Sequence, residues 1–262
     1  MKCFVINLDR DKDRLSKFDN EWKRAKIPFK YERVRAVDGS LLDNINNINI
    51  APSTDPKKFA CPRPLTKGEI GCFLSHKFVW GKLLSSNEKW AVVFEDDIKI
   101  SPQISQFIIQ DNWIPEGVDF IQIFVWGEKQ KIKILNEKEL FNGFKLYQQV
   151  KPFPSGTQAY IFSRKFAELA VNYSNILYAP VDDFISNPAY PINSFVKVWR
   201  LNPALVTTND AIPASIQHFK ENLKLQVPLK VKINPKKFYL RFKWSLIRKF
   251  AKNKIISFYG HN

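Results

Sequence analysis

The 262-residue chain predicts an α/β fold, a mixed and mostly parallel sheet flanked by helices. Three observations carry that expectation. Apolar, largely β-branched runs near residues 3–8, 90–98 and 119–126 lack polar alternation, as strands buried on both faces do. Helical patterns lie between them, with Leu15, Phe18 and Trp22 at core-facing spacing and a longer set over residues 70–84. Polar residues cluster where the apolar runs stop, which is where open α/β sheets gather ligands.

The elements follow in order. Residues 3–8 form a first strand, and Asn7-Leu8-Asp9-Arg10-Asp11-Lys12-Asp13-Arg14 turns into a helix. Residues 31–37 form the next strand, closed by the turn pair Asp38-Gly39. Residues 41–65, rich in Asn and Pro, read as a loop. Thr66-Lys67-Gly68-Glu69 has the form of a capping box and opens a long helix. Glycine inside a helix costs about 1 kcal/mol relative to alanine, so Gly68 and Gly71 point to close packing or to backbone approach to a ligand. His76 on that helix reads either as a hydrogen-bonded core histidine or as a functional residue. Trp90-Ala91-Val92-Val93-Phe94 then runs straight into Glu95-Asp96-Asp97. Residues 119–126 make another strand, residues 129–146 a hairpin or insertion, and residues 156–163 a strand whose Ser163 caps the helix carrying Phe166, Leu169 and Ala170. Pro180-Val181-Asp182-Asp183 is a second carboxylate cluster, read as a loop; residues 196–199 and 204–206 read as short strands. With no linker before about residue 215, the expectation is one domain over 1–215 and an extension over 216–262.

The formal charge is +16, yet residues 220–262 hold twelve Lys/Arg against one acid, so the extension alone carries +11. Such a charge calls for an anionic partner: nucleic acid, a phosphorylated substrate or an acidic membrane. On a wheel of about 3.6 residues per turn, residues 236–254 put Tyr239, Leu240, Phe242, Trp244, Leu246, Ile247, Phe250 and Ala251 on one broad side. Lys237, Arg241, Arg248, Lys249 and Lys252 fall mainly on the other, the pattern of a helix lying in an anionic membrane interface. A terminal helix packed on the body and an RNA-binding segment are the competing readings. Cys3, Cys61 and Cys72 make neither a metal-ligand pair nor a disulfide framework, which fits a reducing compartment. The opening apolar run is too short for a signal-peptide core and no stretch approaches spanning length. The expectation is a cytoplasmic protein, soluble or peripherally attached.

Three adjacent carboxylates repel one another, and burying them uncompensated would cost several kcal/mol. The triplet therefore reads as a site for a hard divalent cation, Mg²⁺ or Mn²⁺, that bridges to substrate phosphates, or else as a solvated strand-end turn. With a second acidic site at Asp182 and Asp183 for proton chemistry or for positioning a hydroxyl, the residues suggest metal-dependent transfer with a phosphorylated leaving group. A nucleotidyltransferase or phosphotransferase is a rival, although no Gly-x-x-x-x-Gly-Lys phosphate loop is present. A basic membrane- or nucleic-acid-binding module without catalysis is the rival from outside enzymology.

Five segments occur together and in order: residues 6–14 (Ile-Asn-Leu-Asp-Arg-Asp-Lys-Asp-Arg), 35–39 (Arg-Ala-Val-Asp-Gly), 65–76 (Leu-Thr-Lys-Gly-Glu-Ile-Gly-Cys-Phe-Leu-Ser-His), 94–98 (Phe-Glu-Asp-Asp-Ile) and 203–206 (Pro-Ala-Leu-Val). On these the chain resembles glycosyltransferase family 25, the bacterial lipooligosaccharide and lipopolysaccharide glycosyltransferases, often β-galactosyltransferases. The resemblance implies a GT-A-like nucleotide-sugar fold, inversion at the anomeric carbon and a UDP-sugar donor, UDP-galactose first. It makes Glu95-Asp96-Asp97 the counterpart of an Asp-x-Asp metal motif, with Asp97 and then Glu95 as ligands to Mn²⁺ or Mg²⁺ and Asp96 turned toward ribose or sugar. It implies that Asn7, Asp9, Arg10 and Arg14 border the nucleotide and that Asp38 and His76 line the donor pocket. Asp182, which follows Pro-Val as the family's acid does, is the expected base ahead of Asp183, and His218 sits where some GT-A enzymes place a further metal ligand. Gly156-Thr157-Gln158-Ala159-Tyr160 departs from the family's glycine-then-aromatic form at Ala159. The implied acceptor is a lipid-linked oligosaccharide, which favours docking of the tail on the inner face of the cytoplasmic membrane over nucleic-acid binding. Oligomeric state stays open.

Overall fold

A computed structural model of the chain describes residues 1–42, 48–50, 64–151, 156–209 and 246–260. Strand β1 (Lys2–Asn7) leads into helix α1 (Lys12–Arg24), then β2 (Glu32–Arg35) and the long α2 (Lys67–Leu84). Next come β3 (Trp90–Glu95), β4 (Ile98–Ile100), the single turn α3 (Ser105–Ile108), β5 (Phe120–Gln122) and β6 (Phe124–Val125). A hairpin follows, β7 (Lys129–Glu139) and β8 (Lys145–Gln149), then β9 (Ala159–Ser163), α4 (Arg164–Tyr173) and α5 (Val181–Ser186). Strands β10 (Val198–Asn202), β11 (Val206–Thr208) and β12 (Lys252–Ser257) complete the described chain.

Nine strands form one sheet in the order β12-β7-β8-β10-β5-β9-β3-β1-β2, and β4-β11-β6 form a second, small one. The large sheet is mixed: β2-β1-β3 and β10-β5 pair in parallel, and β9, β8, β7 and β12 enter antiparallel. Strand β3 shows why its sequence lacks alternation. Val92 and Phe94 pack on one face with Phe18, Trp22 and Phe107, whereas Ala91 and Val93 pack on the other with Phe73, Trp80 and Phe166. Both faces are dry, so apolar residues are needed at every position.

Local chemistry sets the helix that frames the site. Thr66 accepts from the Glu69 N–H while the Glu69 carboxylate accepts from the Thr66 N–H, so the expected capping box starts α2. Gly71 answers the packing question raised by the sequence: a Cβ there would lie 2.5 Å from the Val37 carbonyl oxygen. Gly68 has only the Thr66 hydroxyl within 4.0 Å of such a Cβ, so tight packing does not explain it. Ser163 caps α4 through the Phe166 N–H, as its sequence suggests.

Three expectations are corrected. The run at residues 119–126 is two strands in different sheets, because the Ile123 carbonyl accepts from both Leu205 and Val206 and draws the chain off the large sheet. Residues 180–183, read as a loop, open the short helix α5, with Asp182 and Asp183 in its first turn, where the helix dipole favours acids. The amphipathic helix expected to run to Lys254 does not: residues 246–250 are helical, but Lys252–Ser257 is β12. Paired with the free edge of β7, β12 buries Ile256 beside Ile132 and Tyr147, and Lys254 reaches Glu137 at 3.0 Å. The rest of that expected helix lies outside the described residues. No helix among the described residues is long and apolar enough to cross a membrane.

Candidate active site

A cavity of about 320 Å³ opens where β1, β2 and β3 end. Because β3 lies between β1 and β9, its terminal acids divide the cavity into two rims. One rim comes from the chain leaving β1 and β2 and from the start of α2: Asn7, Arg10, Arg14, Asp38 and Gly68. The other comes from the end of β6 and the approach to β9, with Trp126, Gly156, Thr157 and Gln158; Asp182, at the start of α5, lines the cavity as well.

The triplet is held by this first rim. Arg14 Nη2 lies 2.5 Å from Asp96 Oδ1 and 3.0 Å from Asp97 Oδ2. Asn7 Nδ2 donates to the other Asp96 oxygen at 2.6 Å, and Arg33 Nε fixes Asn7 by donating to its Oδ1 at 2.9 Å. Asp96, expected to face ribose or sugar, is thus buried with both oxygens engaged by the protein. A guanidinium supplies part of the compensation that three adjacent acids need. Asp97 keeps one oxygen over: Oδ1 is buried and has no hydrogen-bond partner among the described residues. Burial first, then the Glu95 charge, push the Asp97 carboxyl up to about 7 against the pull of Arg14. An orphaned, crowded carboxylate oxygen is what a hard divalent cation binds, so these residues fit Mn²⁺ or Mg²⁺ with ligands still to come from a donor's phosphates.

Glu95 is held from beneath. Trp80 Nε1 donates to the Tyr160 hydroxyl at 2.9 Å; Tyr160 lies 2.9 Å from His76 Nδ1, and His76 Nε2 lies 3.4 Å from Glu95 Oε1. Tryptophan can only donate, so the Tyr160 oxygen accepts from Trp80, and the His76 ring stands between that hydroxyl and Glu95. Thr157 donates to the same Glu95 oxygen at 2.8 Å. Burial pushes this carboxyl up, but His76, Thr157 and Arg14 together hold it below the usual carboxylate range. His76 is therefore both things the sequence allowed, a fully buried core histidine and a wall of the cavity. Cys72, one helical turn before it, also lines the cavity, and its sulfur, a His76 ring nitrogen and a Glu95 oxygen lie within 4.8 Å of one another. Burial and the nearby acids keep that thiol well above its ordinary value, hence protonated.

Asp182, which lines the cavity, accepts from the Asp183 N–H at 2.9 Å through Oδ1. Burial, with the charges of Asp183 and Glu95, lifts Asp182 to about 6 against the Asp183 N–H. A carboxylate at that level is ionised at neutral pH and still basic, as proton abstraction requires.

Of the residues singled out from sequence, the cavity gathers Asn7, Arg10, Arg14, Asp38, His76, Glu95, Asp96, Asp97 and Asp182. Asp9 does not line it; it is half exposed and paired with Arg33 and Arg35. Asp183 does not line it either, and His218 lies outside the described residues. Arg10 is paired with Asp38, which also accepts from the Ser40 N–H. Sequence reasoning marked the segment of Thr157, Gln158 and Tyr160 without giving those residues roles, and it missed Trp126 and Trp80, which are neither acidic, basic nor repeated at a spacing that could have marked them.

The model of glycosyltransferase family 25, described as an LPS biosynthesis protein, matches residues 1–185. The chain belongs to that family. The match takes in both acidic sites and stops before His218 and the basic tail. Among family relatives, a lipooligosaccharide biosynthesis protein, lex-1, of Haemophilus influenzae is 30% identical over 55% of this chain and 50% of its own length. Procollagen galactosyltransferase 2 of Homo sapiens is 31% identical over 70% of this chain and 29% of its own. The chain thus spans half or less of these relatives. A solved glycosyltransferase involved in glycosylating the major capsid of PBCV-1 aligns over 64% of this chain and 62% of its own at a TM-score of 0.33 and 6% identity, too slight a likeness to argue from.

Proposed function

We propose that this chain is an inverting hexosyltransferase, moving galactose from UDP-galactose, or another hexose from its UDP-sugar, onto a lipooligosaccharide or lipopolysaccharide core. The observation that carries the reading is one cavity holding three kinds of chemistry: arginines and an orphaned acid at its centre and first rim, and a lone basic carboxylate across from them. The lipooligosaccharide and galactosyltransferase relatives favour that acceptor and that sugar.

Asp97 Oδ1 and Glu95 would hold the cation, and Mn²⁺ or Mg²⁺ bound there would stabilise the departing diphosphate. Arg14 and Arg10 offer guanidinium groups to the donor phosphates. Asp182 takes the proton from the acceptor hydroxyl as that oxygen attacks the anomeric carbon, and the C1–O bond to UDP breaks with its electron pair leaving on the diphosphate. Attack from the rim opposite the diphosphate inverts the anomeric centre. The basic extension would keep the enzyme on the anionic inner face of the cytoplasmic membrane, next to a lipid-linked acceptor.

Incubation with a panel of UDP-sugars and Mn²⁺, with UDP detected, tests the catalytic reading. Release from UDP-galactose that is lost with EDTA is expected; release from no nucleotide sugar by folded protein would reject it. Flotation with anionic vesicles tests the tail, since deletion of residues 211–245 spares β12. Vesicle binding that survives this deletion would reject the membrane role.

A further inference from the structure

Trp126, which the fold leaves 43% exposed, is the one Trp, Tyr or Phe among the described residues that line the cavity. Exposure of an indole costs apolar burial, so its surroundings decide whether it is incidental. They hold it firmly. Thr207 Oγ1 lies 3.0 Å from the Val125 carbonyl oxygen and 2.6 Å from that of Gly127, which pins the backbone on both sides of the ring. Gly127 makes the next turn at φ 62°, where glycine is unstrained. Beneath the indole, the fully buried Phe124 meets it edge-on, with centroids 5.0 Å apart and planes at 83°. Gly156 packs so closely that a Cβ would come within 3.1 Å of the Phe124 ring. The platform is rigid before any ligand arrives, so little ordering cost remains for binding.

Next to it, Gln158 also lines the cavity, and its Oε1 is buried with no hydrogen-bond partner among the described residues. An apolar plate beside an unsatisfied acceptor suits a ligand with one apolar C–H face and hydroxyls around its edge, which is a pyranose ring. Position assigns the sugar: Gln158 leads into β9 and Trp126 stacks on Phe124 beside Gly156, on the side of β3 away from β1 and its Arg10 and Arg14, in the cavity that Asp182 also lines. We propose that Trp126 and Gln158 form the subsite for the acceptor's terminal sugar, with the indole face under the ring and the Gln158 amide on a hydroxyl. This rests on the transferase reading above.

The test uses full-length protein with methyl β-D-galactopyranoside, methyl β-D-glucopyranoside and methyl β-lactoside as acceptor probes. Trp126→Ala should raise the KM of the accepted glycoside about tenfold or more, and Trp126→Phe, which keeps an aromatic face, only about threefold. UDP release without acceptor should fall by a much smaller factor than the acceptor KM rises in both. Saturation-transfer NMR of the glycosides should show ring-proton contact with the wild type and lose it in Trp126→Ala. An unchanged acceptor KM in Trp126→Ala, or an equal loss of acceptor-free UDP release, overturns the subsite. Wild-type protein that releases no UDP overturns the transferase reading instead; the NMR contrast then still stands or falls for the subsite by itself.

Discussion

The two rims of the cavity flank the same strand and treat charge in opposite ways. On the β1 side every acid has a cation or amide in contact: Arg14 bridges Asp96 and Asp97, Asn7 takes the other Asp96 oxygen, and Arg10 pairs with Asp38. Away from β1 the cavity offers an indole, a hydroxyl and an amide, and Asp182, which among the described residues accepts from the Asp183 N–H at 2.9 Å, is pushed up to about 6. The first rim stores cationic groups beside carboxylates that a bound anion and metal would rearrange; the second keeps a carboxylate basic by withholding partners. The proposed transfer, which releases one anion and takes up one proton, would need both conditions at once, and the end of β3 lies between two unlike neighbours.

Asp182→Asn should break the comparison most completely. Transfer should fall about a thousandfold, the upper range of general-base loss. The same variant should be more stable than wild type at pH 7.5, by on the order of 2 kcal/mol. The sign follows from the raised carboxyl: between about pH 4 and 6 the native state binds more protons than the unfolded chain, so wild-type stability falls as pH rises through that window. The stability gap between variant and wild type should therefore close on acidification to pH 4. Chemical denaturation across pH reads it, and a variant less stable at every pH would contradict the picture. Wild-type kcat/KM should correspondingly drop as pH falls below about 6, as Asp182 takes up a proton.

Arg14→Met comes next. It leaves Asp96 and Asp97 facing each other in a mostly buried place and should cost about 3 kcal/mol in urea unfolding. Its donor KM should rise while the acceptor KM stays put; an unaltered donor KM would confine Arg14 to charge balance. Tyr160→Phe should be milder, costing about 1–2 kcal/mol because the buried Trp80 N–H and His76 Nδ1 lose a shared partner. Its kcat should fall several-fold through loss of Glu95 placement, and an unchanged kcat would mean that the support under Glu95 is not felt at the cavity. The smallest effect is expected from Thr207→Val, which frees the backbone around Trp126. It should cost about 1 kcal/mol and raise acceptor KM two- to threefold with donor KM unaffected.

Much of this arrangement was legible in the residues. Strand β3 announces itself by apolar residues on both faces, and the capping box fixes where α2 begins. The strand-end acids mark the ligand side of the sheet. Other features were not legible. Val125-Trp126-Gly127 reads as the end of a strand whether its indole is core or cavity wall. Lys252–Ser257 has enough aromatic and basic neighbours to read as a continued amphipathic helix until the open edge of β7 is known to be there. The loop reading at 180–183 failed because a six-residue helix has too little length to show a period.

The sequence by itself determined the α/β class, the acids at the end of β3 and the family, because those depend on residue type and near-neighbour order. Tertiary structure alone decided which charges meet. Arg14 and Asp96 are 82 positions apart, and nothing local says that this guanidinium meets the triplet. Likewise only the order β9-β3-β1 separates an aromatic rim from a cationic one. Pairing across a sheet is a long-range property of backbone hydrogen bonding and burial, and it assigns to each acid in the cavity the partners that set its charge.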